Sequence, residues 1–376
     1  MRVLGLMSGT SADGVDAVLA AFEGPPQRPR WHILESASLP YPDGLHREVV
    51  AISQATSVPA QTWLDVSEAI TEQQAAAAKA CDPSGQAELI GCHGQTVWHR
   101  PPAREPGSHQ RGASLQLLQG PLLATLLQRP VVFDFRAADL ALGGQGAPLV
   151  PLADQALLGP TAGWRAVLNL GGIANLTLIP PAEGPQRNAP LRGWDCGPAN
   201  SLIDLAVTQL SGGSQRCDRG GAWAAQGRVD EASITRWLQE PYFRQAPPKS
   251  TGRELFGQAD LERRLAAMTS ADPADVLATL TAFSAACVAQ DLQRCQALEL
   301  LVAGGGCRNT TLMAQLRRRC LGTIVRPLHE LGIGDAQREA LAFALLAWWH
   351  QQGHPGNAPS VTGAQRATVL GVCARP

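Results

Sequence analysis

The sequence predicts an α/β protein of two related domains flanking a cleft, and three observations predict it. A strand, a glycine turn and a returning strand open each half of the chain, first at residues 2–22 and again at 165–179. Apolar strand-like runs alternate with helical patterns, the arrangement of sheets covered by helices. The 376 residues exceed one ordinary core and suggest two domains, placed at 1–155 and 156–376.

The first hairpin runs from the apolar stretch Arg2–Met7 through a Gly/Ser/Thr/Asp turn into Val15–Phe22. In mid-chain, Arg165–Leu170 leads into Gly171-Gly172-Ile173-Ala174-Asn175 and returns as Leu176–Ile179. A duplicated domain with a ligand between the halves is the simplest explanation. Chance recurrence of short glycine-bounded hairpins is the alternative. Ala60–Ala80 and Leu115–Leu127 read as helices. Residues 275–294 place Val276, Leu277, Leu280, Phe283 and Cys287 at amphipathic spacing, with Asp272-Pro273 as a start signal. Leu298–Ala303 reads as a buried strand ended by three glycines. Asn309–Arg319 reads as a helix whose basic end suits its dipole. Glu339–Trp349 is a further helix, and 180–192 and 351–363 are surface loops. The closing segment 361–376 contains a strand assignable to either domain.

Charged residues are 17%, hydrophobic ones 45% and the net charge is -1, a soluble globular balance without the basic footprint of a nucleic-acid binder. The N-terminus turns polar too soon for a signal peptide, and no apolar run reaches membrane-spanning length. Nine cysteines without Cys-x-x-Cys spacing predict reduced thiols in a cytoplasm and argue against zinc. Lys79 and Lys249 are the only lysines, so none follows a glycine-rich loop to grip phosphate.

Five constellations carry chemistry. In Gly9-Thr10-Ser11-Ala12-Asp13-Gly14-Val15-Asp16 the glycines let backbone N–H groups approach an anion, Ser8, Thr10 and Ser11 add hydroxyls, and Asp13 and Asp16 are candidates for magnesium. A plain hairpin connector has the same composition. Asp195, in Gly193-Trp194-Asp195-Cys196-Gly197-Pro198, reads as a strand-end carboxylate before a helix, a candidate base; Gly197 permits a tight turn and the helix start offers N–H groups to a phosphate. Capping of that helix is the bland reading. Gly304-Gly305-Gly306, with Asn309 behind it, suits close approach of a flat ligand such as adenosine. His93, Gln95, Thr96 and Trp98 follow a strand and offer the hydrogen bonds and aromatic face that a sugar needs; a structural His93 competes with this, and metal binding by His93 and His99 is poorly supported. Asp134 and Arg136, beside Gly143-Gly144-Gln145-Gly146-Ala147-Pro148, read as a substrate loop or as a scaffolding ion pair. Glu339, by default a partner of its helix dipole, also faces the cleft in this reading.

Taken in order, these motifs resemble one family. Gly-Leu-Met-Ser-Gly-Thr-Ser-x-Asp-Gly-Val-Asp at 5–16, Cys-His-Gly-Gln-Thr-Val-Trp-His at 92–99, Asp-Phe-Arg at 134–136 and Gly-Gly-Gln-Gly-Ala-Pro-Leu-Val-Pro at 143–151 are similar to the anhydro-N-acetylmuramic acid kinases. So are Asn-Leu-Gly-Gly-Ile-Ala-Asn at 169–175, Asp-Cys-Gly-Pro-Ala-Asn at 195–200, Gly-Gly-Gly-Cys-Arg-Asn at 304–309 and Arg-Glu-Ala-Leu-Ala-Phe-Ala at 338–344. The set spans nearly the whole chain. The resemblance implies the actin-like ATPase fold, two ribonuclease-H-like domains as in actin and hexokinase. It implies ATP and Mg²⁺ as cofactors, Asp195 as the base, and residues 9–16, Gly171, Gly172, Gly197, 304–306 and Asn309 around the nucleotide. His93, Gln95, Thr96, Trp98, Asp134, Gln145, Gly146, Ala147, Pro148, Asn175 and Glu339 would contact an amino-sugar, 1,6-anhydro-N-acetylmuramic acid. The oligomeric state is not readable from the sequence, although by analogy with the fold a homodimer is common for such enzymes. Cys196 departs from the Thr expected after the base and places a thiol near the cleft. Competing readings are an actin-fold kinase for another sugar or small acid, a non-catalytic nucleotide switch, and a glycosidase, which would want paired carboxylates and no nucleotide loops.

Overall fold

The computed structural model describes residues 1–103, 110–247, 249–252 and 255–376. These form two compact units: Met1–Gly159 with Ala336–Pro376, and Pro160–Asp335. Strands β1 (Arg2–Ser8), β2 (Gly14–Glu23), β3 (Arg30–Pro40), β4 (Leu89–Arg100), β5 (Ala113–Leu117) and β6 (Val131–Phe133) belong to the first unit. Strands β7 (Trp164–Leu170), β8 (Ile173–Ile179), β9 (Arg192–Pro198), β10 (Ala297–Ala303) and β11 (Ile324–Pro327) form the second, and β12 (Val372–Ala374) returns to the first.

The two sheets repeat one topology. In the first the order is β12-β6-β4-β1-β2-β3, with β5 paired to β4; in the second it is β11-β10-β7-β8-β9. Each begins with a three-stranded antiparallel meander, β1-β2-β3 or β7-β8-β9, and then adds parallel strands beside the first, β4 and β6 or β10 and β11. This is the ribonuclease-H-like order, twice, and the chain has the actin-like α/β fold. Strands β1 and β7 are buried almost end to end, as sheet centres covered on both faces must be.

Close approach explains two sheet glycines. The helix Gln337–Gln351 lies on β1 and β4 so tightly that a Cβ at Gly5 would sit 1.9 Å from the Ala340 carbonyl oxygen, and one at Gly91 2.2 Å from that of Phe343. This helix therefore belongs to the first unit, although chain proximity assigns it to the second. The final segment follows it, and β12 pairs antiparallel with β6. The domain boundary thus lies at 159/160, with residues 336–376 in the first unit rather than the second.

Four element readings change, and one is that residues 351–363 are not a plain surface loop: they hold the helix Pro359–Thr362, with Asn357 and Thr362 buried. Leu115–Leu127 is the end of β5 followed by a helix at Gly120–Leu127, divided because Pro121 favours a helix's first turn. The helix at Pro273–Gln293 begins at its Asp272 cap, which accepts from the N–H of Ala274 and Asp275. It is buried nearly all round, not amphipathic: Ala285, Val288 and Leu292 pack with the sheet core, and Leu277, Leu280 and Phe283 with a second apolar cluster. Finally, β4 does not stop at Cys92 but continues through His93–Arg100.

Candidate active site

Asp195 stands on β9 directly opposite Asn175 of β8. The ladder slips here: Ala174 faces Gly197 and Asn175 faces Asp195, so β9 carries one extra residue, Cys196. Such a bulge bends a strand and re-aims a side chain. The half-buried carboxylate accepts from Asn175 Nδ2 at 2.8 Å on Oδ1, and from Thr251 N at 2.9 Å and Ser250 Oγ at 3.1 Å on Oδ2. Its own backbone is gripped as well, N–H donating to the Lys249 carbonyl at 3.0 Å and C=O accepting from Tyr242 Oη at 2.7 Å. An ionised carboxylate has about four acceptor positions. Three donors fix its orientation and leave one for a water proton.

In the same unit lies a cavity of about 660 Å³, within the usual range for small-molecule sites. Its walls are the Gly171-Gly172 turn, Gly305, the start of the helix Ser201–Leu210 and the loop at 217–220. The turn's carbonyls are occupied: Gly171 O accepts from the N–H and the side-chain amide of Asn200, and Gly172 O from the N–H groups of Ala199 and Ser201. Carbonyls so bonded repel an anion less. Ser201 Oγ, buried in this wall, has no partner among the described residues.

In the first unit, the Gly9–Gly14 loop lines a second hollow of about 380 Å³. It is a turn closed by Ala12 N–H to the Gly9 carbonyl, with Ala12 in the left-handed region at φ 57. Gln95 Nε2 donates to Gly9 O at 3.0 Å, Tyr41 N–H to Asp13 O at 3.0 Å, and His46 Nδ1 bonds Ala12 O at 2.8 Å. Three carbonyls are thereby committed to the protein. Among the described residues the N–H groups of Thr10, Ser11 and Asp13 have no protein acceptor. Asp16 and Glu339 share the hollow. Burial raises both carboxyl pKa values, while Ser38 Oγ, donating to Asp16 at 2.5 Å, pulls that of Asp16 back.

Beside this hollow is a buried polar relay. Arg136 Nε donates to His93 Nε2 at 3.0 Å, so His93 Nδ1 carries the proton it gives to the Gly94 carbonyl. Burial, reinforced by the Arg136 charge, pushes His93 down to about 3. Arg136 Nη1 also donates to the Gly146 carbonyl at 2.7 Å, and burial takes its guanidinium down to about 10, with Glu339 opposing the shift. The Gly143–Pro148 segment is held by Asp139, which accepts from Gly146 N–H, Asn357 and Thr362.

A family model described as anhydro-N-acetylmuramic acid kinase matches residues 1–375. The chain belongs to that family. Curated relatives of that name from Synechococcus sp. (strain WH7803) and Synechococcus sp. (strain CC9605) are 62% and 64% identical over 388 and 382 residues, each alignment covering 100% of both chains. One from Prochlorococcus marinus (strain MIT 9211) is 52% identical with the same coverage. The protein is therefore a kinase that uses ATP on a small molecule. No helix among the described residues is long and apolar enough to cross a membrane.

The kinase gathers most of the expected residues, though not all in the expected roles. Gly9, Ser11, Asp13, Gly14, Val15, Asp16 and Glu339 line one hollow, and Gly171, Gly172, Gly305 and Asn309 the other. Thr10 is exposed and Ala12 is buried. Ser8 gives no phosphate contact: it is buried, bonded to Tyr41 and Gln74. Gly304 and Gly306 lie behind the wall, where their Cβ atoms would strike Asn169 and Leu170. Asn309 spends its side-chain oxygen capping the helix Thr310–Arg319. Gly197 packs against Phe243 and Cys287.

Gln95 is fully buried and pins the loop. Thr96 accepts from Gln116. Trp98 is 52% exposed on a separate apolar hollow shared with Trp63. Asp134 faces its own chain, bonding the Ala137 backbone, and its partner is not Arg136. His93 has both ring nitrogens engaged, His99 bonds Ser114, and no three-ligand metal cluster exists among the described residues. Cys196 is buried in the sheet core beside Asp195, and burial drives its thiol pKa far up.

Residues not singled out from the sequence are the Ser250-Thr251 pair, and Ser201 and Asp218-Arg219-Gly220 in the larger cavity. The last group carried a signal, a polar glycine turn like those already singled out.

Proposed function

We infer that the kinase opens the intramolecular bond of 1,6-anhydro-N-acetylmuramic acid with water and phosphorylates the freed oxygen. Water oxygen bonds to the anomeric carbon, the bond from that carbon to the 6-oxygen breaks, and the 6-oxygen takes the γ-phosphoryl group of ATP. The products are N-acetylmuramic acid 6-phosphate and ADP, as recycling of cell-wall fragments in the cytoplasm requires. The observation that carries this reading is the Asp195 carboxylate, oriented by three donors with one acceptor position left. Asp195 takes the water proton, a contribution of about 10²–10⁴-fold.

The N–H groups of Thr10, Ser11 and Asp13 support a phosphate site at the first loop, and the 660 Å³ cavity suits the nucleoside. Mg²⁺ binds through one or two carboxylates and keeps several waters beside substrate phosphates. Asp13 and Asp16, on one hollow with no three-ligand cluster among the described residues, fit that mode and would hold it there. The ion would supply neutralisation of phosphate charge. Glu339 supplies a polar contact for the sugar with the Arg136 charge near it, while His93, both ring nitrogens engaged, orients Arg136.

The test is turnover of the anhydro-sugar in heavy-oxygen water. Label on the anomeric hydroxyl supports the coupled reaction; unlabelled product sinks it.

A further inference from the structure

Two of the three donors to the Asp195 carboxylate come from residues 249–252, which are neither helix nor strand. Regular structure does not hold Ser250 and Thr251 in place. The residue before them carries a buried ammonium. Lys249 has a side chain only 2% exposed, and its Nζ pairs with Asp291 Oδ2 at 3.0 Å. The ammonium also lies 5.0 Å from the centre of the Tyr242 ring, whose hydroxyl donates to the Asp195 carbonyl. Asp291 is anchored in the helix Pro273–Gln293 and accepts from Trp194 Nε1 at 2.9 Å. Trp194 and Lys249 thus bracket Asp195, one preceding it in β9 and the other accepting its N–H.

A buried ion pair is a poor stabiliser, because desolvation offsets much of its attraction; apolar residues of similar volume often do as well. Fold stability alone therefore does not account for one here. We propose that Lys249 and Asp291 are positioning residues, fixing Ser250 and Thr251 against the Asp195 carboxylate. The proposal rests on Asp195 being the base.

The experiment replaces both charges, Lys249→Met with Asp291→Leu, so that no unpaired charge stays buried. Turnover falls roughly tenfold to a hundredfold, as a small misplacement of a reacting group predicts. The KM for ATP stays within about twofold, and the melting temperature falls only by what the Trp194 N–H loses with its acceptor. Ser250→Ala then separates positioning from general damage. In the native background it lowers kcat; in the double-variant background it lowers kcat much less, because the hydroxyl is already displaced. Should the apolar pair not fold, Asp291→Asn keeps shape and the Trp194 acceptor and gives the same non-additive loss with Ser250→Ala. Native kcat in the apolar pair, or an additive Ser250→Ala loss, overturns the positioning role. Asp195→Asn is run alongside: if it is inactive while the pair is normal, only this proposal fails, and if it stays active, the base reading fails and takes this proposal with it.

Discussion

Asn175 Nδ2 donates to Asp195 Oδ1 at 2.8 Å across directly paired positions of β8 and β9. The pairing exists because the ladder slips by one residue beside it. Asn175, expected as a sugar contact, is bonded instead to the carboxylate of the proposed base. Asn175→Ala should lower kcat about tenfold to a hundredfold, since a hydrogen bond to a charged group is worth about 1.5–3 kcal/mol. The KM for ATP should not move. Steady-state kinetics with varied ATP checks both.

The three consecutive glycines should separate by role. Nothing lies within 4 Å of a Cβ at Gly305, so Gly305→Ala should fold normally and raise the KM for ATP by narrowing the cavity. A Cβ at Gly306 would sit 2.5 Å from Leu170 Cβ, so Gly306→Ala should cost about 1–3 kcal/mol of stability through overpacking. Thermal unfolding and ATP titration of the two variants distinguish them.

His93 sets an acid limit on stability. Its ordinary value of 6.5 applies to the unfolded chain, and burial with the Arg136 charge takes the folded value to about 3. Protons therefore bind the unfolded chain preferentially between these values, and stability falls as pH drops from 6.5 towards 3. His93→Gln, which keeps an acceptor for Arg136, should flatten that part of the unfolding profile. An unchanged slope would place the titrating group elsewhere.

Glu339 has the opposite sign. Burial is the main cause of its raised pKa, so the folded chain prefers the protonated form. Its favourable contribution is complete below the ordinary value of 4.5 and is lost as pH rises through the raised value. Glu339→Gln should thus melt higher than the native protein at neutral pH, with no difference below pH 4.5. The same variant should raise the KM for the sugar.

What the sequence revealed follows from what local chemistry encodes. The hairpins β1-β2 and β7-β8 were legible because continuous apolar runs meet glycine turns, and the triple glycine marked the end of β10. The helix Gln337–Gln351 was legible as a helix but not as a member of the first unit, because its partners Gly5 and Gly91 are remote in sequence. Strand β4 was read short, since His93 and Gln95 are polar yet buried, held by Arg136 and the Gly9 carbonyl. Edge strand β3, mostly exposed, has too weak an apolar alternation to signal itself. The Asp195 motif is legible as a strand end rich in glycine. Ser250 and Thr251 are not, because only the fold brings them to it.

The central claim is that Asp195 activates the attacking water. The most direct measurement is turnover and ATP affinity of Asp195→Asn, which keeps the side chain's shape and removes its basicity. ATP should bind with native affinity while kcat falls about 10²–10⁴-fold. Turnover within tenfold of native, with normal ATP binding, would contradict the account.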